Sequence, residues 1–253
     1  MTALSAHSWP EVPSGALLLV PVGSLEQHGP HLPLDTDAVI AVEVTGRVAA
    51  HLLEDGPVTV APPILLGASG EHHGFAGTLS IGTDALAALL VELVRSAELW
   101  TPRVVFVNAH GGNVFALERA VVQLRAEGHG TSWVACATEE LDLHAGRGET
   151  SIMLHLRPGM VTMRHAAAGN TAPLAELLPT MVTGGVRAVS SNGVLGDPTG
   201  ASAEEGRMLT AEITRDVLRR VRHGVPDHRG MLTEPAGARA DAPASRPRGR
   251  VGA

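Results

Sequence analysis

Arg103-Val-Val-Phe-Val-Asn108, running on into Ala109-His110-Gly-Gly-Asn113, is the stretch that decides the fold. Its apolar residues follow one another without polar alternation. A strand reads that way when both faces of its sheet are covered, which is the situation of a parallel sheet under helices. A glycine turn follows, and apolar spacing then predicts a helix from Val114 to Ala126. The same rhythm extends outward on both sides. Strand-like runs at Leu17–Val22 and Val58–Leu65 alternate with helical patterns at Ala38–Leu53 and Ala85–Leu99, and a further strand is expected at Trp133–Ala137. Repeated strand–helix–strand units bounded by Gly, Pro and polar breakers predict an α/β fold with a mainly parallel sheet.

The chain has 253 residues, near the size at which a single core stops growing. One domain over residues 1–225 is the expectation. With 44% hydrophobic and 18% charged residues it can bury a sizeable core. A formal net charge of -7 lacks the basic footprint of phosphate recognition, which argues against a nucleic-acid partner. Cys136 is the single cysteine, so there is neither a disulfide framework nor a thiolate zinc site, and a reducing cytoplasm is expected. The apolar run Ala16–Val20 has no basic leader and is far shorter than the roughly 20 residues of a membrane span. No membrane association is expected. Against 13 His stand no Tyr and three Phe, so imidazole is the side chain in unusual supply.

Beyond Thr138 the pattern weakens. A short helix is expected from Glu149 to Leu156, stopped by Pro158. The stretch Ala175–Pro198 reads as a glycine-rich loop, and an amphipathic helix is expected from Ala203 to Arg222. From Pro226 onward Pro, Gly, Ala and Arg dominate without apolar periodicity, so residues 226–253 are expected to form a disordered tail.

The densest polar cluster, Gly23-Ser-Leu-Glu26-Gln-His28-Gly-Pro-His31-Leu-Pro-Leu-Asp35-Thr-Asp37, directly follows the first strand. Ligands of open parallel sheets collect at such strand ends. Glu26 and His28 are two apart, so an extended segment points both side chains the same way and they can share one ion. Asp37 falls where a helix begins, and the partial positive charge there favours an ionised carboxylate. Read alone, the cluster also suits a helix cap beside a solvated loop. Two more clusters at strand ends shift the balance. Asn108-Ala-His110-Gly111-Gly112-Asn113 delivers an imidazole next to glycines that permit close backbone approach. Asp142-Leu-His144-Ala-Gly-Arg147-Gly-Glu149-Thr-Ser151 offers an imidazole and a carboxylate, which can divide the work of proton donor and metal ligand or base. Glu149 also suits a plain first-turn residue that complements the helix dipole. A further stretch, Gly67-Ala-Ser69-Gly-Glu71-His72-His73, is expected to orient ligands, or to form a surface or subunit contact, rather than to bind metal itself.

Together, Glu26-x-His28, Asp37, Gly77-Thr-Leu-Ser80, Asn108-Ala-His110-Gly-Gly-Asn113 and His144-Ala-Gly-x-x-Glu149-Thr-Ser resemble the creatininase (creatinine amidohydrolase) family, in order and spacing from about residue 16 to 222. The resemblance implies a three-layer α/β/α sandwich, a centre of two divalent ions (Zn2+, Fe2+ or Mn2+) and hydrolysis of an amide, in a homo-oligomer that is a hexamer or larger even assembly. It implies Glu26, His28, Asp37, His110 and Glu149 as metal ligands, with Asp37 bridging, and leaves His144 for proton transfer. Ser69, Glu71, His72, Asn108, Gly111, Gly112 and Asn113 would orient the ligands or meet the substrate. One departure stands out: creatininases proper carry a metal-binding Glu two positions after the equivalent of His110, where this sequence has Gly112. Glu149 is then expected to fill that role, and creatinine becomes a less suitable substrate. The stretch from Asp142 to Ser151 most resembles the branch of the family that releases a modified C-terminal Val-Tyr-derived unit from a ribosomally made precursor peptide. The rival readings are a hydrolase of a small cyclic amide or formamide, and a metal-binding scaffold without turnover.

Overall fold

The computed structural model describes residues 3–137 and 142–234. Four parallel strands, β1 (Leu17–Val22), β2 (Val58–Val60), β3 (Arg103–Asn108) and β4 (Thr131–Ala135), form one sheet in the order β2-β1-β3-β4. The alternation of strand side chains divides the core in two. Leu18, Val20, Val22, Val104 and Phe106 point to one face, where they pack with α2 (Gly82–Ala97) and α3 (Val114–Ala126). Leu19, Val105, Val107 and Val134 point to the other and meet α1 (Thr36–Leu52) and α6 (Ala203–His223). Val105, Phe106 and Val107 are all fully buried, which accounts for the uninterrupted apolar run of β3. Burying a side chain of this size contributes about 1.5–3 kcal/mol, so a strand covered on both faces adds to stability at nearly every residue. The chain is the three-layer α/β/α sandwich its sequence predicts.

Elements on the C-terminal side depart from the expectation in two places. Within the stretch read as a loop, Leu174–Gly184 forms a helix, α5, although Pro179 removes one of its backbone hydrogen bonds. Past residue 225, a hairpin of β5 (Val225–Pro226) and β6 (Leu232–Thr233) is ordered, and it buries Leu232. It docks on β4 through the bridge from Met231 to Trp133 and the hydrogen bond that Trp133 Nε1 donates to Arg229 O (3.0 Å). The folded unit therefore runs to Glu234, because Leu232 and Trp133 supply apolar contact that composition alone does not show. Residues 235–253 of the expected tail lie outside the described residues.

Because all four strands run the same way, the loops after them open on one edge. The polar clusters of the sequence lie there, after β1, β2, β3 and β4. The last reaches that edge on α4 (Arg147–Leu156), which packs against α6 at very short range. A Cβ on Gly206 of α6 would lie 1.8 Å from Ser151 O and 2.3 Å from its carbonyl carbon. Gly206→Ala must push α6 and α4 apart, at a cost of about 1–3 kcal/mol. The melting temperature should fall by several degrees, at roughly 2–4 °C per kcal/mol for a domain of this size. An unchanged melting curve would show that the two helices are not in this contact.

Candidate metal centre

Glu26 leaves β1 in a segment pinned to the start of α1 by the Glu26 N–H to Leu34 O hydrogen bond (3.0 Å). The β1 exit and α1 meet closely: a Cβ on Gly23 would stand 2.5 Å from Ala38 Cα, so only glycine lets the helix start this near. That approach brings Asp37 into reach of Ser24, whose Oγ donates to Asp37 Oδ2 (2.7 Å). Asp37 is 2% exposed and faces two imidazoles. Its Oδ1 lies 3.0 Å from His28 Nε2 and its Oδ2 lies 3.1 Å from His110 Nδ1. His28 Nδ1 is 3.2 Å from Glu26 O, a partner that can only accept, so Nδ1 carries a proton and Nε2 is the nitrogen turned toward Asp37.

Glu26 is fully buried, and neither of its carboxylate oxygens has a hydrogen-bond partner of good geometry. The nearest groups are imidazole nitrogens: His110 Nε2 at 3.1 Å from Oε2, and His72 Nε2 at 3.2 Å from Oε1. His144 Nδ1 stands 3.7 Å from Oε1. Glu149, in the first turn of α4, accepts the Ala145 N–H at Oε2 (2.6 Å), and the same oxygen is 3.9 Å from His28 Nε2. Ala145 has a φ of 51°, a left-handed conformation that is costly for a residue with a Cβ and that aims its N–H at this carboxylate.

Donor atoms of these side chains gather into two triads, Glu26–Asp37–His110 and His28–Asp37–Glu149, within which they lie no more than 4.8 Å apart. Asp37 belongs to both. All five side chains that the sequence singles out as ligands are thus brought together, with Asp37 between the two groups. Atoms bound to one zinc-sized ion at about 2.0–2.2 Å stand roughly 3–3.5 Å from one another, and the separations of 3.0–3.1 Å around Asp37 and Glu26 match. Burial pushes the Glu26 carboxyl up to about 7 against the pull of His110, and burial likewise raises Glu149 to about 7 against His28. Burial also opposes the charged forms of the neighbouring groups, but His28 and His110 outweigh it to hold Asp37 well below the usual carboxylate range. In return, Asp37 and the glutamates overcome burial to raise His28 to about 10 and His110 to about 9. Two buried carboxylates, Glu26 and Asp37, and the partly buried Glu149 converge here and call for positive charge at their centre, which divalent cations fit.

A third triad, Glu26–His28–His144, overlaps these two. His144 Nε2 is 2.8 Å from Gln27 O and 3.0 Å from Gln27 Nε2; because both amide hydrogens of Gln27 have other acceptors, Gly193 O and His72 Nδ1, His144 Nε2 donates to Gln27 O and its Nδ1 faces the cluster. Burial, with His28 and His72 nearby, holds its pKa well below the ordinary histidine value. Gln27, unremarked in the sequence, organises this wall. Its Oε1 accepts the Gly29 N–H (2.9 Å), and its Nε2 donates to Gly193 O (3.0 Å) and lies 2.9 Å from His72 Nδ1. The only signal for it in the sequence is its place between two ligand candidates, where strand-like alternation turns it to the opposite side.

The remaining candidates sort by position. Asn108 Nδ2 donates to His110 O (2.7 Å), and Asn113 ties three loops together by donating to Gly23 O (2.9 Å) and Asn108 Oδ1 (3.1 Å) and accepting the Ala68 N–H (2.9 Å). Ser69 Oγ is 3.4 Å from His110 Nε2. Gly111 has open space where a Cβ would be, whereas one on Gly112 would lie 2.4 Å from both Ala68 O and Glu71 Oε1. The close-approach role belongs to Gly112 alone. The carboxylate beside Gly112 is Glu71, and Glu149 lies on the His28 side.

Comparison with known proteins agrees with this architecture. Residues 5–221 match the model of the Creatininase family, described as creatinine amidohydrolase. The chain is 55% identical to the mycofactocin precursor peptide peptidase of Mycolicibacterium smegmatis over 219 residues, which are 86% of this chain and 89% of that protein. It is 53% identical to the protein of the same name in Mycobacterium ulcerans over 233 residues, 89% and 90% of the two chains. A crystal structure of a creatinine amidohydrolase (creatininase) superposes with a TM-score of 0.69 at 23% identity, covering 86% of this chain and 95% of the other, a likeness of fold. With the family's motifs placed on one edge of its sheet and matched along most of its length, this chain belongs to the creatininase family.

Proposed function

We propose that this creatininase-family hydrolase binds two divalent ions, one at Glu26–Asp37–His110 and one at His28–Asp37–Glu149, and cleaves the modified C-terminal Val-Tyr-derived unit from the mycofactocin precursor peptide. The observation that carries the centre is the pair of unpartnered oxygens on fully buried Glu26, a cost that a cation removes. The substrate is proposed from the 55% identity to peptidases of that name over most of both chains. Zinc and manganese forms of creatininases are among the solved structures of similar fold, and the N/O donor set here accepts either, or iron(II). No helix among the described residues is long and apolar enough to cross a membrane. A cytoplasmic setting and a homo-oligomer, a hexamer or larger even assembly, go with this reading. The exposed apolar row Leu174, Leu178 and Val182 on α5, at spacings of four, supports self-association.

Bound divalent ions polarise an amide carbonyl and lower the pKa of water to about 7. The chain's own part is positioning and proton transfer. Asp37 stands between the two triads, Ser24 orients it, the Glu26 carbonyl orients His28, and the Asn108–Asn113 pair fixes His110. His144, neutral with its lone pair at Nδ1 facing the cluster, is placed to take the proton shed by the attacking water and return it to the amide nitrogen as the bond breaks.

Incubation of the metal-loaded protein with the modified precursor, followed by mass spectrometry, should show loss of the C-terminal unit. Hydrolysis of lactams or formamides with the peptide left intact would end the peptidase reading in favour of a small-amide hydrolase. Asp37→Ala should lose both ions by metal analysis, because Asp37 faces both triads. His144→Ala should keep two ions and lose about 10²–10⁴ of turnover, the usual contribution of a general acid–base. If His144→Ala instead sheds an ion, the overlapping triad is the real one and His144 is a ligand.

A further inference from the structure

Gly112 and Glu71 occupy one another's space. A Cβ at position 112 would stand 2.4 Å from Glu71 Oε1 and 2.5 Å from His110 Nε2, so the absence of a side chain there admits the Glu71 carboxylate to the rim of the centre. Glu71 arrives from the short helical turn Gly70–His72 after β2, a different loop from either triad. Its Oε1 lies 3.5 Å from His110 Nε2, the same nitrogen that sits 3.1 Å from Glu26 Oε2. Both separations fall in the range of neighbouring donor atoms on one ion. The backbone holds the turn in place: Asn113 Oδ1 accepts the Ala68 N–H (2.9 Å), Ser80 Oγ accepts the Ser69 N–H (2.9 Å), and Gly185, whose φ is +68°, approaches the Glu71 carbonyl so closely that a Cβ there would stand 2.6 Å from its oxygen. The carboxylate itself is 28% exposed, unlike Glu26 and Asp37, so it faces the open side of the site.

We infer that Glu71 is a further metal ligand, the fourth acidic arm of the centre, and that it acts on the ion held by Glu26, Asp37 and His110. Charge is consistent with this: with ions bound and all four carboxylates ionised, Glu26, Asp37, Glu149 and Glu71 would carry four negative charges, which two divalent cations balance. The two ions then differ: Glu149 on α4 completes the one beside His28, while a carboxylate on an exposed loop completes the one beside His110. This inference rests on the two-ion reading given above.

Titration of the metal-free full-length protein with cobalt(II), followed by visible absorption and by competition with a chelator, tests both levels separately. The wild-type protein should take up two ions. Glu71→Gln, at a residue partly open to solvent, should leave one ion bound as before and weaken the other by about 100-fold or more, since partners that merely orient ligands cost about 10–100-fold. The cobalt spectrum of the weakened ion should change, and Glu71→Asp should retain more of its affinity than the amide variant. Two ions bound by Glu71→Gln with a smaller loss, or with an unaltered cobalt spectrum, would overturn the role of Glu71 and leave the two-ion centre standing. A wild-type protein that binds one ion would overturn both.

Discussion

The interaction on which the rest of the site depends is the burial of Glu26 without a hydrogen-bond donor of good geometry. An ionised carboxylate taken out of water costs several kcal/mol even after relaxation. The surrounding structure does not relieve that cost with a lysine or arginine. It surrounds the carboxylate with His72, His110 and His144, three groups whose charge depends on protons or on an ion. A stable core would not be built this way for its own sake. Asp37 repeats the pattern between His28 and His110, and the two carboxylates together hold the loops after β1 and β3 against each other.

What allows such a cluster is the parallel sheet. Each strand is buried on both faces and so cannot carry polar groups along its length, but its carboxyl end opens into a loop at one shared edge. Asn113 shows how rigidly those loops are joined. One amide bonds to the exit of β1 at Gly23, the loop after β2 at Ala68 and the exit of β3 at Asn108. Gly67 makes room for it: a Cβ there would meet Asn113 Oδ1 at 2.5 Å. The clustered carboxylates and imidazoles thus hang from a frame whose geometry is set by apolar packing underneath.

Much of this was legible in the sequence because the decisive patterns are local. The unbroken run of β3 announces a doubly covered strand, and of the five ligand candidates Glu26, His28 and His110 follow a strand by a few residues, while Asp37 and Glu149 stand in the first turn of the helix that comes next. Long-range features were not legible. Gln27 looks like any polar loop residue until Gly193, 166 positions away, is found under its amide. Leu174–Gly184 hides its helix behind Pro179, and the hairpin after residue 225 hides in a stretch whose composition suggests disorder because its one strong anchor, Leu232 against the β4 side of the core, is a single residue. Glu71 and Gly112 are 41 positions apart, and only their contact in space reveals that one stands where the other has no side chain.

The supply of histidine, so unusual beside the scarcity of aromatics, then resolves into distinct tasks set by the partner of each ring. His28 gives its Nδ1 proton to the Glu26 carbonyl, which frees Nε2 for the cluster. His144 gives its Nε2 proton to the Gln27 carbonyl, which frees Nδ1. His72 has the opposite polarity. Gln27 is oriented by the Gly29 N–H and the Gly193 carbonyl so that its amide N–H meets His72 Nδ1, and the His72 proton must then sit on Nε2, facing Glu26 Oε1. His72 thus turns Nε2 toward Glu26 Oε1, while His28 turns Nε2 toward Asp37, although the two rings stand within one cluster. The neutral form this requires of His72 is the one its surroundings impose: burial, with His110 and His28 beside it, holds its pKa down to about 3. Backbone carbonyls and one glutamine side chain, none of them titratable, thus set which ring nitrogen each of these imidazoles turns to the carboxylate cluster.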